Sequence, residues 1–307
     1  MACFRTLYLS GCLVLVVLLT EGLVSAAHGE AKRPTRFDKM DFAERKAVLE
    51  QTHREESLLP GRLLKLSKAF LNTPYVLSPL GEAKGVDPDP RFRVDAFDCT
   101  TFVETAIVLA YRSDWSKAAD LLDHLRYNHD KIDFNHRRHL ITADWIPKLQ
   151  EEGVLSDITA QIAGKSTRKV KLNLSKNRWR KRRIARSLDV PEQQIPFGIY
   201  SLPIIPLQAL SKKAKQIPSG TLVNIVRLPS RFSPVIVTHQ GLFFRDDKGR
   251  QFVRHASPVA KRVIDEPLSN MIRRYRKPRK WGVAGINIQA INSLEYLEEL
   301  TDAQTQR

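Results

Sequence analysis

The apolar pattern of this chain changes its period once, and that change constrains the fold more than any other feature. Before residue 155 the apolar side chains recur at helical spacing. Phe37 to Ser57 and Leu59 to Asn72 read as two helices, Cys99 to Tyr111 as a third and Ser116 to His129 as a fourth. Thr73-Pro74-Tyr75 breaks the run, and the polar, proline-bearing stretch Gly81 to Phe97 leads into the third helix. Asp133 to Leu155 reads as a loop. From Gly220 onward the pattern is that of strands: Gly220 to Leu228, Val235 to Arg245 and Arg250 to Ser257 are rich in β-branched and aromatic residues, with a turn at Asp246 to Gly249. Helices first and strands afterwards predict an α+β fold. The sequence has no internal repeat and no nucleotide-binding glycine loop.

The first residues combine Arg5, an apolar run from Leu7 to Leu19 and the small residues Val24-Ser25-Ala26-Ala27, which reads as a secretory signal cleaved after residue 27. The run falls short of the ~20 residues that span a bilayer. Leu9-Ser10-Gly11-Cys12 has the look of a lipoprotein box, yet the apolar run continues beyond it. The expectation is an exported protein, periplasmic or extracellular, with residues 28–307 forming one domain. Its cysteines are Cys3, Cys12 and Cys99, so cleavage leaves Cys99 alone in an oxidising compartment. An odd cysteine there means intermolecular pairing or a free, reactive thiol. Asp98 is a good N-cap, which places Cys99 in the first helical turn, where unpaired amides and the helix dipole stabilise a thiolate. The alternative is a small buried hydrophobe at a helix start.

The net charge is +17, and much of it is local: Lys165 to Arg186 holds 11 basic residues and no acidic one. A second basic stretch runs from Arg273 to Lys280. Such runs read as nucleic-acid patches, with Trp179 as a stacking aromatic. Export argues against that use, so no nucleic-acid partner is expected. The first run reads instead as a solvated, partly flexible insertion at about 164–187. It would hold anionic envelope polymers at most, and would be dispensable for chemistry.

The hairpin supplies a second catalytic clue. A three-residue turn, Asp246 to Lys248, pairs Arg245 with Gly249 and sets His239 opposite His255. Side chains so placed share a face at about 5 Å between Cβ atoms. One imidazole could then take a thiol proton while the other orients it.

Phe70-Leu-Asn-Thr-Pro74-Tyr75, Asp98-Cys99-Thr-Thr-Phe-Val-Glu104, Arg138-His139 with Asp144-Trp145-Ile146, Thr238-His239-Gln-Gly241 and His255-Ala-Ser257 follow one another in this order. The set resembles the amidase-like branch of the NlpC/P60 cysteine peptidases over about Ala69 to Ile288. The resemblance implies a papain-like α+β fold, a nucleophile helix on an antiparallel sheet and cleavage of an amide bond in peptidoglycan fragments, N-acetylmuramoyl-L-alanine being the associated substrate type. Cys99 then looks like the nucleophile, His239 the general base and His255 the orienting residue, with the Cys99 amide and a neighbouring donor holding the oxyanion. No cofactor is called for, and a monomer is expected. The long basic insertion and Pro147-Lys148-Leu149 depart from the family pattern.

Arg138 and His139 could grip a substrate carboxylate, or Arg138 could form a salt bridge with Asp133 or Asp144. Tyr75 could line the pocket beside the nucleophile. Trp145 reads as core and Glu104 as a structural hydrogen-bonder. Two rivals remain: a zinc amidase using His239, His255 and His139 or Asp144, which leaves Cys99 without a role, and a non-catalytic cell-wall or polyanion-binding protein, which has no use for a registered nucleophile and base.

Overall fold

The computed structural model describes residues 36–80, 92–128, 131–180, 190–230 and 233–293. The expected signal with Cys3 and Cys12, residues 81–91 of the loop before Cys99, and residues 181–186 of the basic run lie outside them. The helices are α1 (Phe42–Glu55), α2 (Leu59–Ala69), α3 (Cys99–Tyr111), α4 (Trp115–Arg126), α5 (Ile146–Glu151), α6 (Thr159–Ala163), α7 (Lys176–Arg180), α8 (Leu207–Lys213) and α9 (Leu268–Arg276). The strands are β1 (Leu155–Asp157), β2 (Arg168–Leu174), β3 (Gly198–Pro206), β4 (Thr221–Arg227), β5 (Val237–Arg245), β6 (Gln251–Ser257), β7 (Arg262–Pro267) and β8 (Val283–Ile291).

Local chemistry fixes where the early helices begin. Asp41 accepts from the Glu44 amide while Glu44 reaches back to the Asp41 amide, a reciprocal cap that starts α1. Pro60 stands in the first turn of α2, where its missing N–H has no cost. Asp114 caps α4 by accepting from the Lys117 amide.

All the strand pairings are antiparallel, in the order β2-β3-β8-β4-β5-β6-β7, with β1 also on β8. The fold is thus α+β on an antiparallel sheet. Leu222, Val226, Leu242, Phe244 and Ala256 on one face pack with Leu63, Phe102, Val103 and Leu122 from α2, α3 and α4. Val223, Ile225, Phe243 and Val253 on the other face pack with Leu210, Met271, Ile272 and Tyr275 from α8 and α9. Strand β4 is therefore apolar on both sides, and its near-continuous apolar run follows from that.

Two expectations need correction. Asp133 to Leu155 is not a plain loop. Asp133 caps a 3-10 turn at Phe134–His136 by accepting from the His136 amide, and a π-helical turn at Ile141–Trp145 leads into α5. Nor is the basic run an appendage: β2 pairs along its whole length with β3, turning Val170, Leu172 and Leu174 inward and leaving Lys169 and Lys171 exposed. Trp179 is buried against Leu140, Ala143, Leu174 and Ile195, so it is not offered for stacking. Strand alternation hid this element, because its outward positions are nearly all basic. Lysines on an outermost strand also discourage pairing with a second chain.

Candidate active site

Cys99 is the first residue of α3. Asp98 caps the helix by accepting from the amides of Thr100 (3.0 Å) and Thr101 (2.8 Å), while the Thr101 hydroxyl accepts from the Asp98 amide. Thr101 to Tyr111 are buried, so the helix cannot shift without opening the core. Residues 73–76 run beside it. Thr73 O accepts from Val263 N, Tyr75 N donates to Lys261 O, Val76 N donates to Phe97 O, and Phe97 N donates to Pro74 O. This holds the half-buried Tyr75 near the thiol: its hydroxyl is pushed up to about 12 by burial first, with the neighbouring Cys99 and Asp98 adding to that.

The sulfur lies 4.0 Å from the Thr100 hydroxyl. Thr100 Oγ1 donates to Gln240 Oε1 at 2.9 Å, which pins the start of α3 to the strand. The structure thereby brings Cys99 to the residue that follows His239, without a thiol–imidazole hydrogen bond. The surroundings work against the expected resting thiolate: burial pushes the Cys99 thiol up to about 12, Asp98 adds to that, and nearby main-chain donors offset only part of it. The carboxylate that caps the helix cancels much of what the helix dipole offers.

The two histidines do meet, by a different register from the expected one. The loop is Asp246–Arg250, closed by Asp246 N to Arg250 O (3.0 Å), so Arg245 pairs with Gln251 and Leu242 with Arg254. His239 and His255 are diagonal rather than opposed. The shift is by two positions, which leaves both on one face. Diagonal neighbours are reachable for rings, and Gly241 clears the way: a Cβ there would stand 2.9 Å from His255 Cβ and 2.7 Å from Val253 Cγ1. His239 Nε2 and His255 Nδ1 are 2.7 Å apart, with the rings at 88°.

Behind them stands Glu266 on β7, which the sequence reading missed because β7 has no clear alternation. Its Oε2 is 3.2 Å from His255 Nε2 and 2.6 Å from Arg274 Nη2. Burial works against its ionisation, but the His255 and Arg274 hydrogen bonds win and hold it at about 2. A carboxylate only accepts, so His255 Nε2 must be the donor. With His255 neutral, its Nδ1 accepts from His239 Nε2, which leaves His239 Nδ1 as a bare lone pair. Burial first, then the unfavourable electrostatics of His255 and Arg274 toward a second positive charge, keep His239 well below the usual imidazole range. At rest the imidazole and the thiol are both neutral.

Other expected site residues are placed as follows. Arg138 is buried and donates to Asn128 Oδ1 (3.1 Å), Leu125 O (3.3 Å) and Glu152 Oε1 (3.2 Å). Its ion pair is thus with Glu152 rather than Asp133 or Asp144. His139 Nε2 lies 2.7 Å from Phe134 O, and its ring packs on Phe134. Both residues line a small cleft of about 160 Å³ that also reaches Asp98, Thr100 and Thr101. Glu104 is fully engaged by Arg126 and the Trp145 indole, both at 3.0 Å, and Trp145 is core. Among the described residues no three histidine, cysteine or acidic side chains gather as metal ligands, so the zinc alternative finds no ligand set there.

The fold and this site agree with what the chain is similar to. The model of the N-acetylmuramoyl-L-alanine amidase-like family matches residues 65–280. The chain belongs to that family. A Legionella pneumophila protein of known structure is 24% identical, with a TM-score of 0.68 over 81% of this chain and 94% of that one. An N-acetylmuramoyl-L-alanine amidase from Bacteroides uniformis is 25% identical, with a TM-score of 0.59 over 75% of this chain and 99% of its own. A Bacteroides fragilis protein named as a candidate xylanase is 26% identical, with a TM-score of 0.57 over 73% and 98%. No curated protein matches the chain in sequence.

Proposed function

We propose that the protein is an exported cysteine amidase of the NlpC/P60, papain-like kind, which hydrolyses the N-acetylmuramoyl-L-alanine bond of peptidoglycan fragments. The observation that carries this is the Cys99 thiol at the capped start of α3, which the Thr100–Gln240 hydrogen bond ties to the strand residue after His239, itself linked through His255 to Glu266. The family membership and the Bacteroides uniformis relative support the bond type.

Because thiol and imidazole are both neutral at rest, the proton moves as the bond forms. Cys99 Sγ attacks the amide carbonyl carbon while His239 Nδ1 takes the thiol proton. The hydrogen bond between them tightens in the substrate complex, as catalytic bonds commonly do. The oxyanion is held by the Cys99 amide with a neighbouring donor. The imidazolium, steadied through His255 by Glu266, then protonates the leaving amine. Water, deprotonated by His239, cleaves the thioester and restores the thiol. A glycosidase would instead need two carboxylates facing each other across a cleft, and the carboxylates beside Cys99 are committed, Asp98 to the helix cap and Glu104 to Arg126 and Trp145.

Exposed Lys169, Lys171, Lys176 and Arg180 keep a role for the basic run in holding anionic envelope polymers. Replacing Lys169 and Lys171 with glutamine should weaken sedimentation with sacculi at low salt while leaving turnover of a small substrate unchanged. The central test is mass spectrometry of defined muropeptides after incubation with the protein and with Cys99→Ser. A free peptide beginning in L-alanine, formed by the first and not the second, is expected; cleavage at any other bond, or by Cys99→Ser, overturns the proposal.

A further inference from the structure

On the histidine side of the site a cleft of about 530 Å³ is lined by His239 and His255 together with Arg227, Arg279, Lys280 and Trp281. The three buried arginines of the described structure each hold a carboxylate: Arg126 with Glu104, Arg138 with Glu152, Arg254 with Asp265. Arg227 is different. It is half-buried, its Nε donates to the Thr238 hydroxyl at 3.0 Å, Nη1 donates to the Trp281 carbonyl, and its guanidinium lies 5.2 Å over the Trp281 ring. All of these partners are neutral, and among the described residues no carboxylate pairs with it. Burial disfavours its charge, and Arg279 and Arg274 press on it further. Arg279 and Lys280 are exposed at the rim and likewise carry no acidic partner among the described residues. The acid behind the histidines, Glu266, is already taken by Arg274 and His255.

A desolvated cation without a counter-ion is costly unless a ligand supplies one. We propose that this cleft is a carboxylate subsite, in which Arg227, Arg279 and Lys280 bind an acidic group of the substrate's peptide half against the Trp281 ring. This rests on the amidase reading, and the peptide half is chosen on chemical grounds. The imidazolium that protonates the leaving amine is His239, so the leaving group lies on the side of the cleft that His239 lines. Arginine can take a carboxylate by two parallel hydrogen bonds, and the indole face suits the short aliphatic arm that carries it.

The test is calorimetric binding to full-length Cys99→Ala protein of two probes, N-acetylmuramoyl-L-alanyl-glutamate and its fully amidated counterpart. The acid should bind at least 10-fold tighter, and Arg227→Gln should remove most of that preference. Since Arg227 also ties Trp281 to β5, the exposed pair Arg279→Gln and Lys280→Gln is measured as well and should reduce the preference without touching a fold contact. Equal affinity for the two probes, binding of neither, or a preference that survives both sets of changes overturns the subsite. Turnover of the same probes by the unaltered protein reads the amidase assignment separately: cleavage without carboxylate preference sinks only the subsite, and carboxylate preference in binding without cleavage sinks only the amidase.

Discussion

Two sets of polar groups converge on the start of α3, and they differ in whether they titrate. On one side His239, His255, Glu266 and Arg274 form a chain of charged or chargeable groups. On the other, Thr100 donates to Gln240, Gln240 to Asn224 (2.9 Å), Asn224 to Asn287 (3.1 Å) and Asn287 to Asp157 (2.7 Å), a row of neutral amides crossing β5, β4 and β8. Gln240, Asn224 and Asn287 are all buried. Each amide accepts from one neighbour and donates to the next in the same sense, so their dipoles reinforce one another. Under the proposed amidase mechanism the difference follows from the task. A proton must move at His239, which needs groups with accessible protonation states and a carboxylate to fix the tautomer. The sulfur must stay in place, and satisfied amides achieve that at any ordinary pH.

The sharpest break comes on the titrating side. His239→Ala removes the base and should lower kcat/KM by roughly 1,000-fold while leaving the melting temperature nearly unchanged, read by steady-state kinetics and thermal unfolding. An active His239→Ala protein would mean that the histidine chain is structural.

Glu266→Gln tests the end of the chain. The amide can donate as well as accept, so it no longer forces His255 Nε2 to be the donor, and roughly 100-fold in kcat should be lost. The pH profile distinguishes this from a packing defect. The Glu266 charge raises the His239 pKa, against the larger effect of burial. Without that charge the imidazole resists protonation further, and the acid limb of kcat/KM should move to lower pH. An unmoved limb would show that Glu266 only packs, and Glu266→Asp should restore part of the rate.

How much of this was legible beforehand divides along the same line. The Asp98–Cys99 helix start is a local signal, a capping residue followed by helical spacing, and the structure has it where the sequence placed it. That His239 and His255 share a face survived a wrong turn length only because the error was two residues; an error of one would have separated them. Glu266 and Arg274 gave no signal, since a carboxylate in a short outer strand looks like surface until the sheet order is known. The amide row was hidden for the same reason: Asn224, Asn287 and Gln240 are far apart in sequence and become neighbours only through antiparallel pairing. Gly241 could have been read as a close approach, since a glycine inside an otherwise β-rich run marks one.

The amide row should answer to stability rather than to rate. Gln240→Leu leaves the Thr100 hydroxyl without its acceptor and Asn224 Oδ1 without its donor in a dry interior, a cost of about 1–3 kcal/mol. Denaturant unfolding should show that loss equally at pH 6 and pH 8, because no group in Thr100, Gln240, Asn224 or Asn287 changes charge between them. A loss that varies with pH would mean the row is coupled to the histidine chain.

The smallest effect is on the thiol, where the two sets meet. With Cys99 held at about 12, alkylation by iodoacetamide should keep rising with pH past the ~8.5 of a free cysteine, with no plateau in the neutral range. The same shift has a stability consequence of fixed sign. A thiol whose folded pKa is raised stabilises the fold at pH below its unfolded value, and that contribution is lost as pH climbs toward 12, so Cys99→Ser protein should lose less stability than the unaltered chain between pH 8 and pH 10. A labelling plateau below pH 8 would reinstate a resting thiolate at the helix dipole, and proton transfer would then precede attack rather than accompany it.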